Sequence, residues 1–522
     1  MSVLLAIIIV SLFVMNEPLS SAYKLMKHDP MVKTQSGLIR GFKEDVFGLP
    51  IDVFLGIPFA EPPVGSLRFM RPVPVKPWHR EYKAMFLPPS CIQPSVYFNQ
   101  IINITGDERS EDCLYLNIWA PARETKEQRK AVMVFFHGGA FFFGSTNWHF
   151  YDGSRLAALG DVLVVSVNYR LGPFGFMTAR NSPVSMGNQG LHDQHLAMLW
   201  QGLFKRAIMQ SGSPYWTIGK MENEDSFTKA AVKLNCVDRG VEEVTDFDSV
   251  LGCLQNKNAT DILNALESRN GRVRLTYHPD HGDDLIPEDV PKAIRSGFAN
   301  DVDLLIGAVK DEGSVFIEYY MSPVLDFMDW SKIQKGTMEV YFMLLFRFLH
   351  EKNVNQIRDF YLESATEDPS SFLKNSSNAM GDFAFLCPLM YFAEDYARRN
   401  NSVYFYEFAH RPSYSWNAPW AGVAHFEEIP FVFGFTLDND LFNITQEERA
   451  LTLFMMYMWT HFAKTGQVPP INGKTWPQFS ASNPSYAELN LPESEIKSPV
   501  SDHRCEFWRS RFCGQYKTRT AR

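Results

Sequence analysis

Ala131-Val132-Met133-Val134-Phe135-Phe136-His137-Gly138-Gly139-Ala140-Phe141 is the stretch whose reading decides the fold. Ala131 to Phe136 is a continuous apolar, β-rich run. Such a run suits a strand buried on both faces, at the centre of a largely parallel sheet. The residues that follow are small. Adjacent small residues let backbone N–H groups point into a cavity, where they stabilise the oxyanion of a tetrahedral acyl-transfer intermediate. Taken alone, the motif reads equally well as an ordinary glycine-rich turn.

Working outward, Asp161 to Asn168 is a second apolar run, containing Val162-Leu163-Val164-Val165. Leu191 to Trp200 has helical spacing. Phe204 to Met209, Leu304 to Ala308 and Val403 to Phe408 read as short strands. Glu447 to Lys464 reads as a helix capped by Thr445 and ended near Gly466. The charged stretch Arg123 to Lys130 reads as a solvated loop. Strands alternating with helices predict an α/β fold around one sheet. No linker breaks the chain, so residues 23–522 are expected to form one domain.

The chain has 522 residues, with 50 Lys+Arg against 59 Asp+Glu and a net charge of -9. No basic surplus exists to displace counterions from phosphates, which argues against a nucleic-acid partner. Charges recur throughout and the one long apolar run is Val3 to Met15, so a multi-pass membrane protein is excluded. That run precedes Pro18 and Ser20-Ser21-Ala22. It predicts a secretory signal peptide over residues 1–22, no membrane span after cleavage, and an extracellular protein.

Cysteine usage agrees. Cys91, Cys113, Cys236, Cys253, Cys387, Cys505 and Cys513 contain no Cys-x-x-Cys pair, so neither zinc nor a thioredoxin-like site is expected. Six of the seven can form three bridges in an oxidising compartment. Glycosylation sequons start at Asn103, Asn258, Asn375, Asn400 and Asn443. His192 and His195 lie three apart, unlike the spacing of zinc hydrolases, and Asp280 to Asp284 lacks the ligand period of a calcium loop. No metal and no cofactor are expected.

Two further motifs carry chemistry. Asp311-Glu312-Gly313-Ser314 follows the strand Leu304 to Ala308, and acids at strand C-terminal ends suit active sites in open α/β sheets. Gly422-Val423-Ala424-His425-Phe426-Glu427-Glu428 places a histidine, a general-base candidate, between apolar segments. Oxyanion loop, acid, then histidine is the chain order of the α/β hydrolases.

Leu55-Gly56-Ile57-Pro58-Phe59-Ala60-Glu61-Pro62-Pro63-Val64-Gly65 and Glu111-Asp112-Cys113-Leu114-Tyr115-Leu116-Asn117-Ile118-Trp119 resemble the two signatures of type-B carboxylesterases. Phe385-Leu386-Cys387-Pro388-Leu389-Met390 and the stretch around His425 resemble cholinesterases. The resemblance runs from about residue 30 to 513. It implies an α/β-hydrolase fold and a secreted carboxylic ester hydrolase with a Ser/Glu/His triad. Glu312 would be the acid, His425 the base, and Gly139 and Ala140 the oxyanion donors. It also implies the disulfides Cys91–Cys113, Cys236–Cys253 and Cys387–Cys505. Cys513 is then the odd cysteine, a candidate for an intersubunit bridge.

One departure decides the functional expectation. No glycine in the chain is followed two positions later by serine, so Gly-x-Ser-x-Gly is absent. Relative to the family, roughly 35 to 40 residues are missing between Trp200 and Gln201, including the nucleophile elbow, a central strand and its covering helix. The chain as written is expected to be catalytically dead. The slot left behind would be open to the strand Phe204 to Met209, with Ser211 and Ser213 at its end as remote substitutes for the nucleophile. The loop between Cys91 and Cys113 carries Tyr97 and Phe98 but no tryptophan to hold choline by cation–π contact, so a neutral or aromatic ester is the better substrate expectation. The alternative is a non-catalytic secreted binding or adhesion protein of the neuroligin-like kind.

Overall fold

The computed structural model describes residues 29–512 apart from 95–107, 123–128, 180–186, 202–203, 216–225, 267–276, 298–300, 319–334, 347–348, 350, 364–367, 439–442 and 500–502. The signal segment, Asn103, Tyr97, Phe98, Cys513 and most of the Arg123 to Lys130 stretch lie outside the described residues.

Ten strands build the core: β1 (Phe42–Val46), β2 (Leu49–Pro58), β3 (Tyr115–Pro121), β4 (Val132–Phe136), β5 (Leu163–Val167), β6 (Arg206–Gln210), β7 (Asp303–Val309), β8 (Val403–Phe408), β9 (Tyr486–Leu489) and β10 (Glu495–Lys497). Among the helices around them are α1 (Gln189–Gln201), α2 (Cys387–Ala397), α3 (Gln446–Thr465) and α4 (His503–Phe512). The arrangement is an α/β-hydrolase fold, but its sheet comes in two halves. The first runs β1-β2-β3-β5-β4 and the second β6-β7-β8-β9-β10. Parallel pairs occupy the centre: β5 with β4, and β6 through β9. Antiparallel pairs lie on the flanks. β6 does not slide into register with β4. Its ladder is with β7, Ala207 against Leu304 and Met209 against Ile306.

Three apolar clusters hold the halves. Strand side chains alternate between faces, and the clusters follow that alternation. One face of both half-sheets shares a single cluster. It joins Val53, Trp119 and Val164 of the first half to Leu305, Tyr404 and Tyr406 of the second. Helix α3 supplies Leu451, Met455, Met458, Trp459 and Phe462 to it, at three- and four-residue spacing. On the opposite face the halves have separate cores. Val165 and Val167 pack with Ala197 of α1, whereas Ile306 and Phe405 pack with Leu389, Phe392 and Ala393 of α2.

Helix α3 has well-defined ends. The Thr445 hydroxyl accepts from the Glu448 N–H, and the Glu448 carboxylate accepts from the Thr445 N–H. This reciprocal pairing satisfies two donors at the helix start. Gly466, at φ 76°, ends it by donating its N–H to the Phe462 carbonyl. Disulfides join Cys91 to Cys113, Cys236 to Cys253 and Cys387 to Cys505; the last spans 118 residues and ties α2 to α4. Among the described residues no helix is long and apolar enough to cross a membrane.

Candidate active site

β7 ends at Val309, and the chain turns at once into Asp311 and Glu312. Glu312 is buried, and its Oε1 accepts the Val309 N–H at 2.9 Å. Its Oε2 lies 2.5 Å from His425 Nδ1. A carboxylate accepts, so Nδ1 carries the proton and Nε2 is left with a free lone pair. Burial lowers the His425 pKa, but the Glu312 charge and hydrogen bond outweigh it, and the net shift is upward. The His425 side chain is 34% exposed. Among the described residues Glu312 is its one hydrogen-bond partner, so no hydroxyl meets the free nitrogen.

The histidine is brought there by its neighbour in the motif. Asp311 is buried and clamps the loop: its Oδ2 accepts the Val423 N–H at 2.8 Å, and its own N–H donates to the Val423 carbonyl at 3.0 Å. Lys374 pairs with the same carboxylate. Gly422, at φ 65°, passes so close that a Cβ would fall on Asp311 Oδ2, so only glycine fits. Phe426, just after the histidine, sits at φ 86°, a strained setting for a bulky residue. Its ring packs edge-on against Trp148, Phe150 and Tyr151.

Those three aromatics belong to the loop that starts at the oxyanion motif, so the C-terminal ends of both half-sheets converge here. Gly139 is at φ 116°, and its Cβ would strike the Phe143 carbonyl. The turn closes with the Phe142 and Phe143 N–H groups on the Gly139 carbonyl, at 2.9 and 3.1 Å. Among the described residues no acceptor takes the N–H of Gly139 or Ala140. His137 is buried, and burial pushes its pKa down to about 4. The neutral ring donates from Nδ1 to the Gly138 carbonyl at 2.9 Å and stacks on Tyr169, whose hydroxyl donates to the His137 carbonyl at 2.7 Å.

Glu428 is a second buried carboxyl here, and sequence reasoning did not single it out. Gln210 Nε2, at the end of β6, donates to its Oε1 at 3.2 Å, while Oε2 has no partner. Burial first, and the Glu312 charge second, raise its pKa to about 7. The signal was its place three residues after His425, but spacing alone does not say which of Glu427 and Glu428 faces the histidine. Glu427 faces away, accepting from Ser415, Asn417 and the Ala424 N–H.

Ser211 and Ser213 do not join the site. The Ser211 hydroxyl is buried without a partner, and the Ser213 hydroxyl donates to the Pro388 carbonyl at 3.3 Å. His192 meets Asp283 at 3.1 Å, with Asp284 nearby. Protein donors already occupy these carboxylates: the Leu285, Ile286 and Asn188 N–H groups on Asp283, and Arg71 on Asp284. A cation would have to displace them.

The comparisons fit this geometry. The chain matches the carboxylesterase family over residues 28–200 and 201–508, two stretches that abut between Trp200 and Gln201. The chain belongs to the carboxylesterase family. It is 32% identical to an acetylcholinesterase of Bungarus fasciatus, over 91% of this chain and 85% of that protein. It is 30% identical to acetylcholinesterase-1 of Trittame loki, over 92% and 94%. It is 29% identical to a cholinesterase of Mus musculus, over 93% and 87%. In this carboxylesterase-family chain the Glu312–His425 pair and the turn at Gly139 lie on loops joined by the contacts of Phe426 with Trp148, Phe150 and Tyr151.

Proposed function

We propose that this chain derives from a secreted carboxylic ester hydrolase and is catalytically silent as written. The observation that carries the proposal is His425: its Nδ1 is engaged by Glu312, its other nitrogen faces no hydroxyl among the described residues, and the sequence holds no Gly-x-Ser-x-Gly. In a chain complete at this point, a serine would lose its proton to His425 Nε2 and attack the ester carbonyl. Glu312 would orient and stabilise the imidazolium, and Gly139 and Ala140 would hold the oxyanion. Serine lost, the oxyanion donors and binding alone leave a rate orders of magnitude below that of a working esterase.

The rings beside the base support an aromatic or neutral ester as the substrate class. Phe385 stands 4.9 Å from the His425 ring, and Trp148 lies next to Phe426. Three disulfides support an oxidising compartment. Asn258, Asn400 and Asn443 are exposed and suit glycan attachment, whereas Asn375 is half-buried in the helix Pro369–Gly381. The test is to express the chain in a secreting cell, then assay an aryl acetate and a fluorophosphonate label. Background turnover and no label are expected. Stoichiometric labelling would overturn the proposal. The split sheet favours one second reading, a non-catalytic binding protein.

A further inference from the structure

β4 and β6 are the inner edges of the two half-sheets, and neither pairs with the other. No residue of either strand is fully buried, although Val132 to Phe136 and Ala207 to Met209 are apolar. At their N-terminal ends Val132 and Phe204 stand 43% and 48% exposed. At their C-terminal ends both strands flank one short segment: Phe135 packs on Phe433, with ring centroids 4.8 Å apart, and Gln210 bonds Glu428. The slot between them therefore has a floor on one face. Met133 and Phe135 from one side and Ile208 from the other pack on the shared cluster with α3. Among the described residues the opposite face has no common core. Val134 and Phe136 belong to one cluster there and Ala207 and Met209 to another.

We propose that this slot is a strand-acceptor site for an uncharged extended peptide of about five residues, apolar on both faces. The backbone chemistry selects the occupant. Each edge offers a row of N–H and C=O groups, and only an extended backbone satisfies two such rows at once. The apolar floor and walls select its side chains. The outer edges of a second copy's two half-sheets belong to five-stranded sheets, too broad to enter between halves already joined by a common core, which favours a single separate strand. The inference rests on the split sheet and stands apart from the ester chemistry.

The experiment is hydrogen exchange on the full chain, read by mass spectrometry, with a synthetic uncharged hexapeptide rich in valine and isoleucine, acetylated and amidated at its ends. A control peptide replaces alternate residues with proline, which cannot complete a ladder. The hexapeptide is expected to slow exchange across Val132–Phe136 and Arg206–Gln210 at least tenfold, and the control to leave it unchanged. Equal protection by the control, or none by the hexapeptide at saturation, overturns the proposal. So does protection of both edges in the peptide-free chain that rises with protein concentration, which would make a second copy the occupant.

Discussion

β6 and β7 lie side by side in one ladder, and their apolar centres differ in how they are paired. β7 is paired on both edges, and all six residues from Leu304 to Val309 are buried. β6 is paired on one edge, and none of its five residues is. Their sequences do not account for this. Ala207-Ile208-Met209 is about as apolar as Leu304-Leu305-Ile306. Burial is conferred by neighbours, so β4 and β6, each paired on one edge, stay less buried than β7.

The largest test of that contrast supplies the neighbour. Inserting a relative's strand, Gly-x-Ser-x-Gly elbow and helix between Trp200 and Gln201 is expected to raise aryl ester hydrolysis at least roughly a thousandfold, followed spectrophotometrically. No gain would mean that the acid–base half is itself misplaced. A smaller effect compares single truncations. Phe405→Ala in β8, fully buried, is expected to cost about 3–5 kcal/mol in urea unfolding, and Met209→Ala in β6 only about 1 kcal/mol. Equal losses would erase the distinction between paired and open strands.

Smaller again is the pH dependence set by Glu428. Below pH 4.5 its carboxyl is protonated in both states. Between 4.5 and about 7 the unfolded chain gives up the proton and the folded chain keeps it, so stability falls as pH rises across that window. The full loss is at most about 3 kcal/mol. Glu428→Gln is expected to flatten urea-unfolding stability between pH 5 and 8, and an unchanged slope would assign it elsewhere. The smallest effect is local. The raised His425 pKa adds stability that is complete below about 6.5 and lost as pH rises through the folded value. Glu312→Gln is expected to lower that pKa in an imidazole NMR titration. An unmoved titration would mean the pair is not coupled.

Elements with strong local signals were legible in the sequence. The Thr445 cap and Gly466 stop were read within a residue because capping chemistry is local. β6 and α1 came out shifted or longer by one or two residues at their ends. The contact of Glu312 with His425 was expected from the order of their motifs. The split sheet was only half legible. The sequence carries no Gly-x-Ser-x-Gly, but whether β6 would slide toward β4 depends on the ladder with β7, which no local pattern encodes. The Asp311 clamp and the buried pair of Arg170 with Asp193 were also invisible. Their partners lie tens of residues away, and an acid destined for burial looks the same as one destined for solvent.

Helix α3 has one more consequence, and it concerns time. The first half-sheet is complete by Val167, but the helix that joins it to the second spans Gln446–Thr465, and β9 and β10 come later still. On the ribosome, where domains fold in the order they emerge, the early half must therefore wait through nearly three hundred residues with its β4 edge unprotected. The Cys387–Cys505 bond closes only near the very end. With no described strand covering β4 on that edge, the chain has a long aggregation-prone interval, and its yield from cells will depend on chaperones holding that edge until α3 arrives.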